Sequence, residues 1–228
     1  MKLTEIESQK IKDIRFVLGQ LSIRNYTINP STYIVDVQEN VEIRGDIGGK
    51  LPVRFGVING NFNIRTSSRL TTLDGFPQHV TGNFSCNIGY MDNRTAVGGP
   101  VSVGGHAEYD EGNGWCSFEG FPQMIGSYLS VGIEYMDSIS SIHKHIKAIG
   151  HRLYLYGNNQ LTGGLMGLFL IKGLTMVHVS NNDWVPDDVA TATNSAIDII
   201  NKHLAGDRSG PNCQIELIDA GLSEYAKL

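Results

Sequence analysis

Leu73-Asp74-Gly75-Phe76-Pro77-Gln78 returns 45 residues later as Phe118-Glu119-Gly120-Phe121-Pro122-Gln123, with a degenerate copy, Val97-Gly98-Gly99-Pro100, between them. Pro52, Pro77, Pro100 and Pro122 follow one another at steps of 25, 23 and 22. Five residues beyond the last three stand Gly82, Gly105 and Ser127. Each is followed by a short stretch in which apolar and polar residues alternate. Working outward, the same alternation occurs seven times. Its first apolar residue falls at Val41, Phe62, Phe84, Ala107, Leu129, Leu153 and Val177.

Short alternating segments recurring about every 23 residues are the signature of a solenoid, and the step lies in the ~20–29-residue range of leucine-rich coils. Each coil supplies one strand, and strands stacked ~4.8 Å apart make a sheet roughly 30 Å long. One coil alone cannot bury its apolar edge, so stability comes from stacking. The chain is therefore expected to be an α+β repeat solenoid. It would be leucine-rich-repeat-like, with a single parallel β-sheet of about seven short strands and helical caps at both ends.

Alternation sorts the side chains. Inward go Val41 and Ile43, Phe62 and Ile64, Phe84 and Cys86, Ala107 and Tyr109, Leu129 and Val131, Leu153 and Leu155, Val177 and Val179. Gly82 and Gly105 precede strands at positions where a side chain would clash. Pro77, Pro100 and Pro122 stand where a missing N–H breaks no ladder. Asn158, Asn159, Asn181 and Asn182 follow the last two strands and suit turns. Val177-x-Val179-x-x-Asn182-x-Trp184 is spaced like a leucine-rich core.

The ends read differently. Residues 3–18 alternate Leu3, Ile6, Ile11, Ile14, Phe16 and Val17 with charges, as an amphipathic helix does. Residues 26–37 read as a hairpin turning at Asn29-Pro30-Ser31. Pro186-Asp187-Asp188 opens a helix striped by Ala192, Ala196, Ile197, Ile199, Ile200 and Leu204, ended by Gly206; Pro211 starts another. A solenoid has two raw strand edges, and helices covering them serve solubility. The divisions are a helical cap at 1–21, a hairpin lead-in at 22–39, the solenoid at 40–184 and a second helical cap at 185–228.

Composition narrows the function. Apolar residues at 41% and charged residues at 18% suffice for a buried core. A net charge of −5 without a basic cluster argues against nucleic acid or an anionic membrane as partner. Cys86, Cys116 and Cys213 are odd in number and lack a Cys-x-x-Cys pairing, so neither a disulfide framework nor a zinc site is expected. The start lacks the apolar run of a secretory leader, and Leu165 to Leu174 is too short to span a bilayer. A soluble chain in a reducing compartment is expected.

The stretch Leu70 to Asn87 resembles the degenerate leucine-rich-like repeat of proteins from tailed bacteriophages. Their usual form is a Leu-rich turn, a Gly-x-Pro, a Val-x-Gly, then an aromatic and Cys strand. Asn25-Tyr26-Thr27-Ile28-Asn29-Pro30, Tyr33 to Val37, Ile171 to Leu174 and Ile215 to Leu222 are similar to the ends of those proteins. The resemblance covers roughly residues 22–228, although 88–117 drift from the pattern and carry an inserted Glu111-Gly112-Asn113-Gly114. It implies a phage-encoded binding or structural protein of the host cytoplasm or the virion, and no catalytic residue.

Outward-facing residues form three columns. The first is Asn40, Asn61, Asn83, His106, Tyr128, Arg152 and Met176. The second is Glu42, Asn63, Ser85, Glu108, Ser130, Tyr154 and His178. The third includes Tyr156. Later rungs gather Tyr128, Arg152, Tyr154, Tyr156, Met176 and His178, and Tyr and Arg dominate binding hot spots. These six are the expected surface for a protein partner, host or viral; an ordinary amphipathic face is the competing reading. His106, Glu108 and Asp110, with Ser85 and Ser130 beside them, could be read as a hydrolase or metal site. A shallow solenoid face excludes water poorly, so no catalytic residue is assigned. His143-x-His145 in a short helix or turn would point apart, and no metal or cofactor is expected. The Gly-rich Val97 to Gly105 lacks the ending of a phosphate loop and lies in the repeat register. Glycosylation triplets begin at Asn25, Asn83 and Asn93, but they matter only in a secretory pathway.

Overall fold

A computed structural model describes residues 5–70, 72–91, 95–109, 115–133, 139–157, 164–180 and 187–227. In chain order the elements are α1 (Glu5–Gln20), β1 (Tyr26–Ile28), β2 (Ile34–Val37), β3 (Val41–Arg44), β4 (Arg54–Ile58), β5 (Phe62–Leu70), β6 (His79–Val80) and β7 (Phe84–Met91). There follow β8 (Ser102–Val103), β9 (Ala107–Tyr109), β10 (Met124–Ile125), β11 (Tyr128–Gly132), α2 (Ile142–His145), β12 (Ala148–Ile149) and β13 (Arg152–Tyr156). A 3-10 turn at Leu165–Leu170, β14 (Met176–Ser180), α3 (Asp187–Ala205) and α4 (Gly210–Asp219) complete the chain.

The strands wind as a parallel-rich β-solenoid of about six turns with two faces. One sheet runs β3-β5-β7-β9-β11-β13-β14 and the other β1-β2-β4-β6-β8-β10-β12. Pairs within both sheets are parallel, except the β1–β2 hairpin. The single sheet expected from the sequence is thus two. The alternating segments form the first; in the second, β6, β8 and β10 are built from the residues after the Gly-x-Pro turns at Pro77, Pro100 and Pro122. Four of its strands, β6, β8, β10 and β12, are two residues long, too short to display a period. Each points one residue inward, namely Val80, Val103, Ile125 and Ile149, all buried.

In the first sheet Val41, Phe62, Phe84, Ala107, Leu129, Leu153 and Val177 stand in one register row. All fourteen residues assigned inward are buried. Large members contribute ~1.5–3 kcal/mol each. Phe62 stacks on Phe84 at 5.8 Å, and Phe84 meets Tyr109 at 5.3 Å, so the core is an aromatic ladder in its middle coils. Pro77, Pro100 and Pro122 each stand two residues before a strand of the second sheet. The following residues carry the bonds between coils: Gln78 N–H reaches Gly56 O, Val101 N–H reaches Gln78 O, and Gln123 N–H reaches Val101 O.

The corners explain two residue choices. Gly104, Gly126 and Gly150 stack so tightly that a Cβ on Gly126 would lie 1.8 Å from Gly104 O. Asn40, Asn61 and Asn83 form an amide ladder. Each Oδ1 accepts the backbone N–H of the residue one coil on, Asn61, Asn83 and His106, at 2.8, 2.8 and 3.2 Å. These three amides make up the start of the first outward column, and the ladder commits them to holding coils together.

At one end Leu18 of α1 is buried, and Lys10 lies over the Tyr33 ring, 4.0 Å from its centroid. The β1–β2 turn is closed by Asn29 Oδ1, which accepts from Ser31 and Thr32 N–H. At the other end α3 lies against β14. Asn201 of α3 accepts Val177 N–H and donates to Val177 O, so one side-chain amide occupies a free edge position of the last strand. Arg208 donates to Leu174 O and Ile171 O. Among the described residues, no helix is long and apolar enough to cross a membrane.

Candidate functional site

The outward face of β9, β11, β13 and β14 carries the richest side-chain chemistry of the described residues. Parallel register sets its grid. Tyr128, Arg152 and Met176 share one row, Ser130, Tyr154 and His178 the next, and Gly132, Tyr156 and Ser180 a third. Glu108 on β9 joins the second row opposite Ser130, and His106 stands just before that strand.

Rings touch from coil to coil. His106 stacks on Tyr128 with centroids 4.6 Å apart and planes 10° from parallel. Tyr128 meets Tyr154 edge-on at 5.6 Å, and Tyr154 meets His178 edge-on at 5.9 Å. Tyr156 lies parallel to Tyr154 at 6.4 Å along the same strand. Five rings thereby form an unbroken ridge across four strands.

Hydrogen bonds pin the ridge. Tyr128 donates its hydroxyl proton to Glu108 Oε1 at 2.6 Å, and His106 Nε2 lies 3.7 Å from the same oxygen. Partial burial raises the Tyr128 pKa above that of an ordinary tyrosine, and the neighbouring Glu108 carboxylate adds to the rise. Tyr128 is therefore a fixed donor at physiological pH. Arg152 Nη1 donates to the Tyr154 hydroxyl at 3.1 Å. Rings and guanidinium hold one another in place, so a ligand meets groups already oriented.

The structure brings Tyr128, Arg152, Tyr154, Tyr156 and His178 into this one constellation. Met176 shares the strand face, 39% exposed beside Arg152. From the sequence, His106 and Glu108 stand outside the six expected contact residues, weighed only for a hydrolase or metal site to which no catalytic residue is assigned. The columns set both beside Tyr128, but the stacking of His106 on that ring depends on rotamers that the columns do not carry. Asp110, the third member of that reading, lies outside the described residues, as do Asn158, Asn159, Asn181, Asn182, Trp184 and the loop 111–114. His143 and His145 lie on the single helical turn α2. Among the described residues, no group of three His, Cys, Asp or Glu could hold a metal ion.

The second sheet offers a different surface. An open groove of about 660 Å³ runs over Val103, Met124, Ile125, Gly126, Ala148 and Ile149. Its lining is mostly apolar, with His79, Thr81, Ser102 and Lys172 as its polar members.

Comparison of the chain with protein-family profiles, curated proteins and solved structures finds no match.

Proposed function

We propose that this chain is a non-enzymatic, phage-encoded leucine-rich-like solenoid that binds a protein partner, of the host or of the virus, through the exposed face of β11, β13 and β14. The ridge of rings crossing β9 to β14 carries this reading. Tyrosine supplies large, rigid contact area at low entropic cost, tyrosine and arginine are enriched in binding hot spots, and the open sheet of a solenoid is its usual recognition surface. Most side chains of this open face are half-exposed, so water is poorly excluded from it, which suits binding better than bond-making. In this reading α1 and the α3–α4 pair are end caps. The edge bonds from Asn201 and Arg208 to the last coil support that role. The working place is the host cytoplasm or the particle, with no nucleic acid, membrane or cofactor involved.

A structural role in the virion is the second reading. Ile215 and Ile218, 60% and 56% exposed on α4, favour it, because such residues suit contacts between subunits. Capture from host lysate tests the first reading. The Arg152→Ala, Tyr154→Ala double variant should lose the captured protein while keeping a single cooperative urea transition. Retained capture would remove the face from the account. Mass spectrometry of purified particles tests the second: copies in the particle support it, and absence rejects it.

A further inference from the structure

We infer that the partner docks through an acidic side chain, an aspartate or glutamate whose carboxylate takes up the guanidinium of Arg152 and the hydroxyl proton of Tyr154. The inference rests on the protein-binding reading above and names the group that the partner brings.

Arg152 carries an uncompensated charge. It is half-buried, whereas the other arginines whose side chains are described are exposed. In its row Tyr128 on β11 and Met176 on β14 stand on either side of it. Its Nε is buried without a hydrogen-bond partner, and its Nη1 donates to the neutral hydroxyl of Tyr154. Among the described residues, no carboxylate forms an ion pair with it. Arg44, though exposed, has Glu42 at 2.6 Å. Taking a charge out of water costs free energy unless an opposite charge and hydrogen bonds replace the lost hydration. Here the fold supplies part of the hydrogen bonding and none of the opposite charge. A counter-ion carried by the partner completes the pair.

The neighbouring donor selects the kind of anion. The Tyr154 hydroxyl accepts from Arg152 at 3.1 Å, so its own proton has no acceptor among the described residues. Accepting that bond polarises the hydroxyl and strengthens it as a donor. Tyr128 does not compete, because its proton is held by Glu108 at 2.6 Å. A guanidinium beside a free hydroxyl proton matches the two oxygens of a planar carboxylate, and such charge-assisted bonds are the strong ones. Phosphate fits the site less well. Phosphate-reading surfaces gather several arginines, whereas β9, β11, β13 and β14 hold no Lys or Arg besides Arg152, and Glu108 adds a negative charge to the same face. Arg152 alone balances one carboxylate and leaves a dianion half-neutralised.

Selection of a displayed random dodecapeptide library on the intact full chain tests this. Enriched peptides should share an Asp or Glu at one aligned position. Changing that residue to Asn or Gln in synthetic copies should weaken binding about tenfold or more, the worth of a hydrogen bond to a charged group. Arg152→Met keeps the packed stem without the charge, and on it the acidic peptide and its amide counterpart should bind alike. Tyr154→Phe removes only the second donor and should by itself shrink the preference for the acid. An acid preference undiminished in both variants would overturn the proposal, as would tighter binding of a peptide with phosphoserine in place of the acid. Enriched peptides that share no acidic residue, yet lose binding on Tyr154→Ala, would overturn the carboxylate and leave a protein-binding face standing. Enrichment indifferent to Tyr154→Ala, or none at all, would overturn both.

Discussion

Replacing Gly126 with alanine adds one methyl group, and the solenoid geometry sets its cost. The new Cβ would lie 1.8 Å from the carbonyl oxygen of Gly104 one coil away. Ordinary contact begins near 3.4 Å, so the coils must part by roughly 1.5 Å against a strand spacing of ~4.8 Å. Both colliding groups lie on backbone, so no rotamer change relieves the clash. Parting the coils breaks the bonds from Gly126 N–H to Val103 O at 2.9 Å and from Ser127 N–H to Gly105 O at 3.0 Å. Losing two such bonds at a corner where Gly126 is exposed and Gly105 and Ser127 are half-exposed costs about 1–3 kcal/mol. Gly19 supplies the control. It lies within α1, and a Cβ there meets nothing within 4 Å, so Gly19→Ala should stabilise by about 0.5–1 kcal/mol. Urea unfolding followed by circular dichroism measures both. A Gly126→Ala cost below about 1 kcal/mol, or a loss at Gly19→Ala matching it, would refute the close-stacked corner.

Core and face should separate cleanly: Leu153→Asp buries an unpaired charge and should leave no cooperative transition, whereas Tyr154→Ala next to it should cost less than about 1.5 kcal/mol in the same urea assay. Asn201→Leu removes both bonds to Val177 and should cost about 1–3 kcal/mol, with the Val177 amide losing protection in hydrogen exchange. The α3–α4 contact should depend on pH through His203, which is bonded to Asp207 and Glu216 at 2.9 Å each, with Lys202 on Glu216. Asp207 first, then Glu216, raises the His203 pKa. Its stabilisation is therefore fully present below the unfolded value of 6.5 and is lost as pH rises through the higher folded value. Asp207 is lowered chiefly by the Ser209 N–H, and Glu216 chiefly by Lys202, so their contributions vanish as pH falls below the usual carboxylate range. His203→Gln should flatten the alkaline decline in urea midpoint; an unchanged slope would sink this assignment.

Period was the legible part of the fold. A recurring step near 23 residues set both the register row from Val41 to Val177 and the burial of its neighbours, because a strand of four or five residues is long enough to alternate. The second sheet escaped because Val80, Val103, Ile125 and Ile149 each stand alone in a two-residue strand. The asparagine column was visible in sequence as polarity; its use in bonding one coil to the next depends on a corner geometry that spacing does not reveal. Asn201 and Arg208 act on Val177, Leu174 and Ile171 from 24 to 37 residues away, and no local pattern announces such bonds. At the candidate site, alternation placed Tyr128, Arg152, Tyr154, Tyr156 and His178 on one face. Stacking of His106 on Tyr128 depends on rotamers and could not be read from the columns.

A single nuclear Overhauser spectrum of the labelled chain tests the parallel winding together with the ridge it presents. Methyl contacts should run Leu129–Leu153–Val177 and Val131–Leu155–Val179, while ring protons connect Tyr128 to Tyr154 and Tyr154 to His178. Crossed contacts such as Leu129–Leu155 paired with Val131–Leu153, the mark of antiparallel neighbours, or ring protons without cross-strand partners, would contradict it.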